Sequence, residues 1–370
     1  MLSGVFELPQ KQMRRIVIKS SSCSPLLFMV DTMTWKEEFY QLYLSPESGS
    51  TIKALEMKRE HIPEKLFRYR PLGSYSAKCA NCVAESKILK ESRLDHVLSE
   101  IRSGQIYASP VGRLNDPFEG YSILKKDHAL KKILNSDKHK KSCEEKFRDH
   151  LTDAKFKEIF DSEDWNEELL KYISDQTKSS LDETKSLFND VLVPVIKKYL
   201  ADPYTDYIRQ VLRVACFSEK KINLPMWNHY ANGYKGVCLE YTTEDIKNPF
   251  TVNRLFPVVY SNELPEFDFI DGNKWQERSD FICTRKLSDW RYEEEWRLLA
   301  NMNFLWNVTP ENISEFNECG VNVKFIKPSK IYLGFNIDSI EERIIREIAE
   351  HEKIPVSKMT CSAHGLMFEG

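Results

Sequence analysis

Lys286-Leu-Ser-Asp-Trp-Arg-Tyr-Glu-Glu-Glu-Trp-Arg-Leu-Leu-Ala300 decides how this chain folds, because a run of charge and indole ends in a short apolar segment of strand length. With Trp296 to Ala300 in a strand, alternate side chains share a face, so Glu293, Glu295 and Arg297 line one side. Two acids and a base on one face make either the wall of a site or a solvated edge strand whose charges pair with neighbours.

Working outward, Val211-Leu-Arg-Val-Ala-Cys-Phe-Ser218, Gly236-Val-Cys-Leu-Glu-Tyr241, Phe256-Pro-Val-Val-Tyr260 and Lys330-Ile-Tyr-Leu-Gly334 read as further strands. Leu66-Phe-Arg-Tyr-Arg70 and Gln105-Ile-Tyr-Ala-Ser109 are strands that enclose a helix. Its apolar face is Leu94, Val97, Leu98 and Ile101, and Gly104 supplies its C-terminal cap. Asn115-Asp116-Pro117 is a turn. Residues 121–205 change to Lys, Glu and Asp with scattered Leu, Ile and Phe, the composition of a helical insertion. Ser339 and Glu342 form a capping box before a helix with Ile340, Ile344 and Ile348 on one face. Thr34 caps a first helix ending near Leu44. The expected class is α+β, a short-stranded mixed sheet core with surrounding helices. Residues 61–120 and 206–365 form that core, 121–205 the insertion, and 1–60 an N-terminal extension and helix, the residues before Met33 being either an extension or a misassigned start.

The 370 residues are 41% apolar and 12% aromatic, enough for one large core. Lys and Arg total 53 against 56 acids, and the net charge of -3 excludes a global attraction to nucleic acid or anionic membrane while leaving a local basic groove open. Nine cysteines, an odd number, suit reduced thiols in a cytoplasmic protein. No apolar run approaches the roughly 20 residues that span a bilayer. Pro25-Leu-Leu-Phe-Met-Val30 is too short for the core of a secretory signal.

On the strand from Leu66 to Arg70, Arg68 and Arg70 share one face and Phe67 and Tyr69 the other, so the arginines can enter a cleft and fork onto a pyrophosphate. Equally, they can be two arginines on a solvated face. Ser218 ends an apolar strand, and Trp227 and Tyr230 share a face of the short helix that follows. No glycine-flanked elbow surrounds Ser218, so a Ser-His nucleophile with His229 is not expected. Cys79-Ala-Asn-Cys82 is half a zinc site without a second half, so no metal is expected. P-loop, dinucleotide-binding and zinc-protease motifs do not occur.

Several of these segments together resemble a bacterial family, the domain of unknown function 2971. They are Leu66 to Arg70, Ser109-Pro-Val-Gly-Arg-Leu-Asn-Asp-Pro-Phe-Glu119, Cys216-Phe-Ser218, Met226-Trp-Asn-His-Tyr-Ala231 with Gly236, Trp290 to Arg297, and Lys330 to Gly334. A looser similarity is to ADP-ribosyltransferase-like toxins, which combine a base on an early strand, a polar-aromatic middle and a Glu on a late strand. The similarity implies NAD as co-substrate and a macromolecular acceptor, nucleic acid or protein. Arg68 or Arg70 would hold the pyrophosphate, Ser218 with Trp227 or Tyr230 would contact the nicotinamide end, and Glu295 or Glu293 would face the ribosyl cation. This chain lacks the Ser-Thr-Ser triplet of those toxins, and its Glu stands among three successive acids. Two other classes use the same residues. One is a metal-dependent nuclease with Asp116, Glu119, Glu293 or Glu295 around Mg2+ and Lys286 near the phosphate. The other is a non-catalytic ligand-sensing or partner-binding domain in which the charges are buried and paired.

Overall fold

The computed structural model describes residues 33–73, 93–267, 274–301, 320–362 and 365–369. Residues 1–32 and the pair Cys79 and Cys82 lie outside them. Ten strands form the main sheet. Its order is β11 (Val321–Lys324), β2 (Gln105–Pro110), β4 (Leu212–Ser218), β1 (Lys65–Arg70), β5 (Val237–Thr242), β12 (Lys330–Leu333), β13 (Val356–Ser362) and β14 (Gly365–Glu369). Two more strands extend from β4: β10 (Glu295–Asn301) pairs with it, and β6 (Leu255–Pro257) pairs with β10. Two short pairs stand apart, β3 (Ile123–Leu124) with β8 (Glu266–Phe267) and β7 (Val259–Tyr260) with β9 (Arg285–Lys286). In the main sheet β12 and β13 are parallel, because the helix Ser339–His351 crosses over between them, and the other pairings are antiparallel. The class is α+β with a mixed sheet.

The register sets Glu295 opposite Ser218, Trp296 opposite Phe217 and Arg297 opposite Cys216. With β4 on one side and β6 on the other, β10 is an interior strand, so the solvated-edge alternative does not hold. Strand parity then sorts the sheet into two faces. One presents Leu66, Phe217, Leu239, Trp296 and Ile331 to the helices Arg93–Ser103 and Ser339–His351. Full burial of a side chain such as Phe217 contributes about 1.5–3 kcal/mol. The other face carries two apolar patches. Val214, Phe256 and Leu299 lie under the helices Trp35–Tyr43 and Asp202–Val211, while Phe67, Tyr69 and Tyr332 lie under the helix Leu224–Tyr230.

Between 121 and 205 the chain forms successive helices, Lys126–Leu134, Asp137–Phe147, Asp153–Phe160, Trp165–Thr177 and Leu181–Ile196, with β3 the one strand among them. Three local readings change. Val211 ends a helix and the strand starts at Leu212. Pro257 closes β6 and Val258 gives its N–H to Glu295, so the chain leaves one sheet and enters another instead of running as a single strand to Tyr260. Asp338, not Ser339, caps the last helix, its carboxylate accepting from the N–H groups of Ile340 and Glu341, while Glu342 turns to Arg346 and Lys358.

Candidate functional site

A groove of about 230 Å³ opens between the two apolar patches, over β1, β4 and β10. Phe67, Tyr69, Leu114 and Met226 form its apolar wall, and Glu119, Lys286, Glu293, Glu295 and Arg297 its polar floor. Each floor residue arrives by a local structural device. Asp116 accepts the Phe118 N–H at 2.9 Å, turning the chain after β2 so that Glu119 points inward. Glu294 takes a left-handed conformation, φ +43°, between the 3-10 turn Ser288–Glu293 and β10, which brings both neighbouring glutamates to the same side. Lys286 enters from β9.

The floor is a buried ion network. Arg297, fully buried, grips Glu119 with two bonds of 2.7 Å and Glu295 with two of 2.9 Å. Lys286 Nζ lies 2.6 Å from Glu293, 3.4 Å from Glu295 and 3.6 Å from Glu119. It fills the centre of the three carboxylates, where a cation of the nuclease mechanism would have to sit. Glu293 spends its other oxygen on the Tyr230 hydroxyl, which donates at 2.6 Å. Three carboxylates against two cations leave a formal charge of -1 when all are ionised.

The two central acids are driven apart. Burial and the charge of Glu295 push the Glu293 carboxyl up to about 7. Burial also raises Glu295, but Arg297 and Lys286 outweigh it and hold that carboxyl down to about 2. Burial and Glu295 raise the Cys216 thiol, which bonds to Glu295 and stays protonated.

Of the residues singled out in the sequence, Glu293, Glu295 and Tyr230 meet in this groove. Arg68 and Arg70 do not. Parity places them on the opposite face, where they pair with Glu100 at 3.4 and 3.0 Å and Arg68 also donates to the carbonyls of Cys216 and Tyr107. The apolar side of β1, Phe67 and Tyr69, is the side that lines the groove. Ser218 is buried and ties β4 to the turn, donating to the Glu293 carbonyl at 2.7 Å and accepting the Lys220 N–H. Trp227 is fully buried, packs edge-on against Tyr69 and donates to the Lys221 carbonyl, so it shapes the wall from behind. Sequence reasoning left Glu119 and Lys286 to the nuclease alternative and gave Arg113 and Cys216 no role in the site. One signal was legible for the arginines: Glu100 interrupts the apolar arc of Val97 and Ile101, and a carboxylate there calls for a buried cation.

No curated protein and no solved structure matches the chain. Residues 226–298, which carry Tyr230, Lys286, Glu293, Glu295 and Arg297, match the family model described as Protein of unknown function (DUF2971).

Proposed function

We propose that the groove transfers an ADP-ribosyl group from an NAD-like dinucleotide to a macromolecular acceptor. The observation that carries this is the pair of carboxylates held in opposite protonation tendencies in one aromatic-walled groove, the pattern of acid-base pairs at glycosidic bonds. The groove has room for the nicotinamide ribose half and a negative floor suited to its cationic ring. Tyr230, Tyr69 and Phe67 offer ring faces and edges to it. As the bond between C1′ and the nicotinamide nitrogen breaks, its electron pair leaves with neutral nicotinamide, and the ionised Glu295 stabilises the ribosyl cation. Glu293, near neutrality, takes the proton of the acceptor as the new bond to C1′ forms. With Arg68 and Arg70 on the far face, the pyrophosphate falls to Arg113 at the exposed rim.

The test is incubation of the purified protein with NAD, with and without cell lysate, and measurement of free nicotinamide. Release that falls steeply in Glu293→Gln with NAD binding retained supports the assignment. A non-catalytic role is favoured by a different observation, that Glu119 and Glu295 are each held by close charge-assisted bonds from the one buried Arg297. Absence of NAD binding, with both glutamate variants altered only in stability, would select that role. Phosphodiester cleavage strictly dependent on Mg2+ would select the nuclease.

A further inference from the structure

We propose that three lysines beside the groove form a docking face for a nucleic-acid strand, which names the acceptor class and rests on the transfer chemistry above. Lys65, Lys221 and Lys330 converge on one point of the sheet. The Nζ atoms of Lys221 and Lys330 lie 5.4 and 5.3 Å from the centre of the Tyr332 ring, and Lys221 is also 6.0 Å from Phe368. Lys65 Nζ is 2.8 Å from one oxygen of Glu240, whose other oxygen accepts the Tyr332 hydroxyl at 2.6 Å. Glu240 is buried and answers one of the three charges, so the cluster carries a local excess of +2 in a chain whose net charge is -3. Seating an ammonium on a ring fixes its place without neutralising it.

The cluster adjoins the groove. Lys65 and Phe67 lie two residues apart on β1, and the Phe67 ring, part of the groove wall, stands 6.4 Å from Tyr332. Lysine heads act as point charges and offer no fork to a ligand. That suits a backbone bearing a phosphate at every unit, read without regard to sequence. A strand neutralised there would present its adjoining nucleotide to Glu293.

Anisotropy of a short labelled single-stranded oligonucleotide, titrated with the full-length protein between about 50 and 200 mM salt, tests this. The uncompensated excess of +2 corresponds to two phosphate contacts and a slope of log affinity against log salt of about -1.4. In Lys221→Gln/Lys330→Gln, with unchanged circular dichroism, the remaining Lys65 is paired with Glu240, so the slope should fall toward zero and binding should weaken several-fold. No binding, equal binding by the double variant, or binding of polyglutamate or anionic vesicles in place of the oligonucleotide overturns the docking face. Nicotinamide release without an acceptor is read separately. If it persists in the double variant while oligonucleotide binding is lost, the docking face is supported. If wild type binds the oligonucleotide but releases no nicotinamide, the transfer chemistry and the acceptor role fail together.

Discussion

Replacing Arg297 with Met keeps an unbranched chain of similar length and removes the cation that Glu119 and Glu295 share. Four charge-assisted bonds of 2.7 to 2.9 Å disappear, together with the bond to the Cys283 carbonyl, and Lys286, at 3.6 and 3.4 Å, is left as the cation that both carboxylates face. Removing one partner of a buried pair costs about 3–5 kcal/mol, because the surviving charge keeps its desolvation penalty. Against a total stability of about 5–15 kcal/mol that is a large fraction. Part of it is recovered in acid, since a carboxylate deprived of Arg297 takes up a proton more easily. The variant should therefore lose more stability at pH 7.5 than at pH 5. Urea unfolding followed by tryptophan fluorescence reports it, with Trp227 and Trp296 both fully buried. Arg297→Lys keeps the charge without the fork and should fall between the two. A loss below about 1 kcal/mol at pH 7.5, the scale of surface ion pairs, would refute the view that this network holds the floor together.

Glu293 should make the fold less stable as pH rises from about 4.5 to about 7, because in that window the folded protein retains a proton that the unfolded chain has released. Glu293→Gln should flatten that decline, by at most about 1.4 kcal/mol per pH unit, in unfolding curves across the range. Glu295 acts in the opposite sense: its stabilisation is present above about 4.5 and is lost as pH falls toward 2, so Glu295→Gln should blunt acid unfolding. Gly236→Ala would set a Cβ 2.1 Å from the Arg70 carbonyl and 3.0 Å from the Ala231 backbone, so the thermal midpoint should drop by the equivalent of about 3 kcal/mol; an unchanged midpoint would mean that β5 shifts freely at its start.

The sheet was legible in the sequence because strand spacing depends on local alternation. The segments from Leu66, Gln105, Gly236, Trp296 and Lys330 all became strands, and the shared face of Glu295 and Arg297 followed from period two, whereas Glu293, in the 3-10 turn before β10, reaches the same side through the left-handed Glu294. Local pattern also gave the cap at Thr34, whose capping box with Glu37 is formed. Alternation says which side chains share a face, but not which face meets a cleft. That choice belongs to whatever packs on the sheet. Glu100 on the helix Arg93–Ser103 drew Arg68 and Arg70 to one side, and the helix Leu224–Tyr230 left Phe67 and Tyr69 beside the groove on the other. The partners of the floor come from positions far apart in the chain, Glu119 and Arg297 being separated by 178 residues. Their mutual burial, and with it the opposed protonation of Glu293 and Glu295, exists only once tertiary packing has excluded water from between them.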